Sequence, residues 1–207
     1  MPAYSADDVI VSEASVLYAP TGTTIPDETS VAWYDNGGTF SNWTGWTLLG
    51  YTTTPTTLGY SYDLFEVDVQ QSTVPIKRRK TSESLVIGTT LAQFDGDILA
   101  LVLGGTNTDT AAGASQKAFS QVVAGGDTNL SEYMFAIEGY RPSNSTGTKQ
   151  PVRVFVYKAT INVNGDIPFD KAGTTQIPVQ INALADTSKA IGQQLVRIDI
   201  VTDDASS

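Results

Sequence analysis

The sequence predicts a mainly β protein: a two-sheet β-sandwich with one flanking α-helix and a long projecting loop. Three observations carry that expectation. Short alternating runs recur along the chain, separated by Gly, Asn, Pro and Thr clusters. One stretch, and one only, has clear helical periodicity. No fixed-period repeat or composition break divides the 207 residues, so a single domain is expected over 1–207. At 41% hydrophobic, the chain has enough apolar side chains for a core.

In chain order, an extended opening segment leads into a first strand at 9–18 and the turn-rich Ala19-Pro-Thr-Gly-Thr-Thr-Ile-Pro26. The irregular Asp35-Asn-Gly-Gly-Thr-Phe-Ser-Asn42 precedes Trp43-Thr-Gly-Trp-Thr-Leu-Leu-Gly50. The strongest strand pattern covers 60–71, where Phe65, Val67 and Val69 alternate with Glu66, Asp68 and Gln70. Period-two alternation puts the first set on an apolar face and the second on a polar, acidic one. A partner strand runs from about 83 to 91, with Leu85, Ile87 and Leu91 on one side. Residues 72–82 between them are too many for a tight turn and are expected to project as a loop.

Phe94, Ile98, Leu101 and Val102 then fall at i, i+4, i+7 and i+8, one apolar stripe of a helix. Asp95 and Asp97 suit its N-terminal end, and Gly104-Gly105 its stop. Residues 106–128 read as a loop, with a short helix near 115–123. Strands resume at 132–140, 152–163, 175–183 and 194–201, and the short end Asp203-Asp-Ala-Ser-Ser207 is expected to fray.

The chain has no Cys and no His. That removes disulfides, thiolate zinc sites, the cysteine nucleophile, the commonest general base and any Ser-His-Asp triad. Carboxylates remain, but none sits in a recognisable catalytic setting, so a carboxylate hydrolase is disfavoured. Asp95-Gly96-Asp97 lacks the further acidic ligands of a calcium loop, and helix N-terminal charge explains it more simply. The expectation is no enzyme activity, no metal and no cofactor. The opening Met-Pro-Ala-Tyr-Ser-Ala-Asp-Asp lacks the basic and apolar regions of a secretory signal, and no apolar run approaches the length of a membrane span.

Charge is more informative. Twelve basic and 22 acidic residues give −10. Four of the twelve are consecutive: Lys77, Arg78, Arg79 and Lys80. The remainder carries 8 basic against 22 acidic residues, a net −14. So acidic a body repels nucleic acid, and sequence-specific binding is disfavoured. The basic run has no interleaved aromatic residue, so it makes a poor nucleic-acid platform. Trp33, Trp43 and Trp46 cluster within 14 residues, as core or interface anchors or as an aromatic platform for sugar.

Five segments together resemble one family. They are Val16-Leu-Tyr-Ala-Pro-Thr-Gly-Thr-Thr-Ile-Pro26, Gly45-Trp-Thr-Leu-Leu-Gly-Tyr51, Val67-Asp-Val-Gln-Gln-Ser-Thr-Val-Pro-Ile-Lys77, Glu83-Ser-Leu-Val-Ile-Gly-Thr-Thr-Leu-Ala-Gln-Phe-Asp95 and Gly173-Thr-Thr-Gln-Ile-Pro-Val-Gln-Ile-Asn-Ala-Leu-Ala-Asp186. In this order they resemble the major tail (tail-tube) proteins of long-tailed, non-contractile phages, especially those of actinobacteria. Gln93 stands where that family often has Glu, and residues 106–128 match no segment of it.

The resemblance implies a structural virion subunit, assembled in the bacterial cytoplasm into hexameric rings that stack as a DNA conduit. Its partners would be further copies of itself, a tape-measure protein in the lumen, and terminator and distal tail proteins at the ends, with DNA passing unbound and no membrane involved. Glu66, Asp68 and Gln70, and secondarily Glu132 and Glu138, become candidates for the DNA-repelling lumen face. Lys77, Arg78, Arg79 and Lys80 become candidates for contact with the next ring; the alternative is a solvated turn. Several long strands without closure signals also suit a subunit that pairs its edges with its neighbours. The competing reading is a carbohydrate-binding sandwich that uses the Trp cluster.

Overall fold

A computed structural model describes residues 13–26, 43–142, 149–169, 171 and 173–201. Its main body is an eight-stranded antiparallel sheet in the order β2-β1-β7-β8-β9-β4-β3, with β10 also on β8. The strands are β1 (Ser15–Pro20), β2 (Thr47–Leu48), β3 (Thr57–Val67), β4 (Lys77–Leu91), β7 (Tyr133–Pro142), β8 (Lys149–Val163), β9 (Ile177–Ala183) and β10 (Val196–Ile200). A separate two-stranded sheet is formed by β5 (Thr106–Thr110) and β6 (Phe119–Val123), and the helix α1 spans Gly96–Leu103.

β8 organises the body. It pairs with β7 along one edge; along the other, Val152–Val156 meets β10 and Ala159–Val163 meets β9. Between the two halves, Phe135 opposes Val156 while Tyr133 opposes Ala159, so β8 carries an extra residue there. Such a bulge bends its strand and raises the local twist. The main apolar cluster is shared between the halves: Val16, Phe135 and Val156 from one, and Leu85, Ile87, Ile177, Val179 and Ile181 from the other. Ile98 and Val102 of α1 pack into the same cluster. The result is a β-sandwich flanked by one helix.

The alternation read from the sequence places these residues well. In β9, Ile177, Val179 and Ile181 are buried while Pro178, Gln180 and Asn182 lie on the half-open side. α1 begins at Asp95, whose side chain accepts a hydrogen bond from the Asp97 N–H at 2.9 Å. It ends where Gly104 takes a left-handed φ of 66°, a conformation favourable only to glycine. Phe94 departs from the expected stripe: it precedes the helix, is exposed, and meets Phe169 edge-on at 5.7 Å.

Other boundaries differ. The strand expected at 60–71 ends at Val67, and its partner starts at Lys77 rather than near 83. The 72–82 loop is therefore mostly strand: the basic run pairs with Leu64 to Val67, and only residues 68–76 form the connection. Unbroken backbone pairing outweighs the poor strand propensity of Lys and Arg there. Residues 106–128 hold the β5–β6 hairpin, and 119–123 is strand rather than helix. Phe119, Val122 and Val123 are aromatic or β-branched and pair with a Thr-rich strand, which favours β structure. Of the first strand expected at 9–18, residues 9–12 lie outside the described residues.

Candidate functional site

β3 and the first half of β4 stand apart from the core as an arm. Every residue from Thr57 to Glu66 is exposed, as is every residue from Lys77 to Ser84. Side chains directly opposite one another share a face, so the register sorts the arm into two. Leu85 and Ile87 point into the core, and their face continues outward through Leu58, Tyr60, Tyr62, Leu64 and Glu66. The opposite face carries Phe65 and Val67 across from Arg79 and Lys77. A register shift at Asp63/Leu64 marks an extra residue in β4, a bulge of the kind that bends and twists a hairpin locally.

The first face is knitted by polar contacts. Arg78 Nε lies 2.7 Å from Glu66 Oε1, directly across the hairpin. Lys80 Nζ lies 2.8 Å from Glu83 and donates to the Tyr60 hydroxyl at 2.7 Å. The same ammonium stands 5.3 Å and 5.0 Å from the centres of the Tyr60 and Tyr62 rings. The Tyr60 hydroxyl in turn donates to Glu83 at 3.2 Å. The hydrogen bond from Lys80, reinforced by Tyr60, holds the Glu83 carboxyl below its usual range; those to Glu83 and Tyr60 hold the Lys80 ammonium above its own. Each exposed pair alone contributes little, so it is the network that stiffens the arm.

On the second face Phe65 is 59% exposed, and no ion pair joins Lys77 or Arg79 to another described residue. At the tip, Ile76 is 62% exposed. Asp68 and Gln70 are exposed in the connection.

The other candidates divide. Glu132 is exposed and pairs with Lys158 at 2.8 Å. Glu138 is no lumen residue: it is completely buried, with its Oε1 2.8 Å from Arg153 Nε. A buried carboxylate requires such a partner, and the alternation that put Glu138 on a polar face did not reveal that this face is covered. Trp43 and Trp46 cover it, packing edge-on against each other and both against Phe155. The Arg153 guanidinium lies 5.3 Å from the Trp43 ring, and Trp46 Nε1 donates to the Thr24 carbonyl at 3.0 Å. At 3% and 6% exposed, these two rings offer no platform for sugar. Trp33 lies outside the described residues.

One surface went unnoticed in the sequence. On the side of the sheet away from α1, neighbouring strands present Thr57 from β3, Gly88 and Thr90 from β4, Gln180 and Asn182 from β9, and Thr160 and Asn162 from β8. Over the body this face is uncharged and polar; farther out along β3 and β4 the same face carries Asp63, Phe65, Arg79 and Lys77. Gln180 donates to Asn182, and Asn182 to Asn162, each at 2.8 Å. The signal was present as alternating Gln and Asn in β9, but only strand order shows that the polar faces of four strands join.

Among the described residues no cluster of metal-binding side chains occurs, and no helix is long and apolar enough to cross a membrane. Compared with known families, the chain matches the family described as phage tail tube protein over residues 2–202, nearly its whole length. No curated protein matches it.

Proposed function

Because the chain belongs to the phage tail tube protein family, we propose that it polymerises as stacked hexameric rings into the conduit that delivers phage DNA to the host. The family is one of structural virion tail proteins, which supports reading this chain's role as assembly. The observation that best supports stacking is the arm: a hairpin with exposed apolar side chains on both faces that its own body does not cover. In a monomer such a surface is a liability, whereas in a polymer it is a contact.

The uncharged polar face of β3, β4, β9 and β8 suits the wall of the conduit. Over the body it presents no cation to hold phosphate and no large apolar patch to grip bases; Lys77 and Arg79 lie on the same face only at the far end of the arm. Asp68, exposed and without an ion-pair partner among the described residues, lies at the far tip of the arm with Gln70 as a neutral neighbour, and would add like-charge repulsion only where that tip borders the conduit. Glu66 and Glu132 contribute less, because Arg78 and Lys158 neutralise them. A tape-measure protein in the lumen, terminator and distal tail proteins at the ends, and assembly in the host cytoplasm complete the proposal.

Negative-stain electron microscopy of the purified protein tests it. Rings or hollow tubes are expected; featureless monomers at high concentration overturn it.

A further inference from the structure

Building on the tube reading, we infer that the basic run contacts a second copy from one face of the arm only: Lys77 and Arg79, with Phe65, engage its acidic body, while Arg78 and Lys80 hold the arm's shape. The basic run reads as four equivalent cations in sequence, but pairing register separates them. Arg78 and Lys80 fall on the face where Glu66, Glu83, Tyr60 and Tyr62 already engage them. Lys77 and Arg79 fall on the other, opposite Val67 and Phe65, and no ion pair joins either to another described residue.

Toward its outer end that second face is cationic and apolar, with the one carboxylate on it, Asp63, lying a step inward and held by the Ser82 hydroxyl at 2.6 Å. Phe65 is 59% exposed, directly opposite Arg79 and diagonal to Lys77. An apolar ring flanked by two positive charges matches a partner surface with the opposite charge and its own apolar content. The rest of this chain fits that description. Outside the run it carries 8 basic against 22 acidic residues, and it exposes Phe94, Phe119 and Leu103. A second copy is thus a complementary partner, and the contact offsets part of the repulsion between acidic rings. The Lys80 network matters indirectly, because a stiff arm loses less freedom on docking.

Two double variants separate the faces, imaged and sedimented beside wild-type tubes. Lys77→Glu with Arg79→Glu is expected to cut pelletable tube at least tenfold. Arg78→Gln with Lys80→Gln is expected to cut it less than threefold. Unchanged near-ultraviolet signals from the buried Trp43 and Trp46 show that the body remains folded in each. If the first pair stacks like wild type, or both pairs fail equally, the face assignment is wrong and the tube reading stands. If wild type binds duplex DNA and the first pair loses that binding but stacks normally, the partner is phosphate, and the assignment falls. If wild type itself never forms rings or tubes, the tube reading falls and the docking inference goes with it.

Discussion

Arg153 Nε lies 2.8 Å from Glu138 Oε1 across the β7–β8 pair, and both side chains are almost completely buried. On the other edge of β8, Asp199 of β10 stands directly opposite Arg153. The Arg153 guanidinium pairs with Glu138 beneath the Trp43 ring, while Asp199 pairs with Arg197 of its own strand at 2.8 Å. Removing one member leaves a buried charge without its partner. Arg153→Ala is expected to destabilise the fold by about 3–5 kcal/mol in urea unfolding, and Glu138→Ala by a similar amount. Glu138→Leu combined with Arg153→Met should recover most of that loss. A loss under ~1 kcal/mol for the single variants would show that the pair is dispensable.

Trp43 closes the second apolar cluster against Phe155 and Trp46. Trp43→Ala opens a cavity there, with an expected cost of about 3–5 kcal/mol. The same variant should leave glycan binding where wild type stands, because the ring is buried. Glycan-dependent fluorescence quenching in wild type that Trp43→Ala abolishes would contradict that burial.

The helix ends are set by Asp95 and Gly104. Asp95→Ala removes the side-chain acceptor of the Asp97 N–H and should cost about 1 kcal/mol. Gly104→Ala forces a Cβ into the left-handed region, for about 1–2 kcal/mol. Both are read from denaturation midpoints, and neither should alter tube diameter.

The Lys80–Glu83–Tyr60 network has a defined pH window. Glu83 titrates below its ordinary value, so its contribution is present above the unfolded carboxyl pKa and is lost as pH falls through the lower folded one. Lys80 titrates above its ordinary value, so its contribution is full below the unfolded lysine pKa and is lost as pH rises through the higher folded one. The arm should stay stiff between these limits and loosen in acid as Glu83 becomes protonated. Side-chain NMR titration checks this: a Glu83 midpoint equal to that of an unstructured peptide would refute the network.

The polar wall makes a separate prediction about DNA transit. Gln180→Lys with Asn182→Lys places two cations per subunit on the uncharged face, and every ring repeats them. Tubes should still form, while phage ejection slows severalfold at low salt and recovers as salt rises. Ejection at the wild-type rate would move the lumen to another face.

Much of this architecture was legible before any coordinates. The alternation in β9 and the Asp95 and Gly104 caps were written in local patterns. Strand existence was clear at 152–163 because β-branched residues cluster there. The errors share one cause. Residues 72–82 were read as a projecting loop because they are too many for a tight turn, whereas pairing with Leu64 to Val67 extends the strand back to Lys77. Glu138 was read as exposed because alternation tells which side of a strand a residue takes, and not what covers that side.

The sequence by itself determined the absence of His and Cys, the acidic bias, the β character and the helix with its caps. All of these depend on composition or on residues a few positions apart. Only the tertiary structure decided that Glu66 lies against Arg78 and that the four basic residues divide between two faces. It alone joined the polar faces of β3, β4, β9 and β8 into one surface. Those facts are set by register and strand order, through which residues far apart in the chain become neighbours. A one-residue slip in either strand of the arm would have exchanged the two faces.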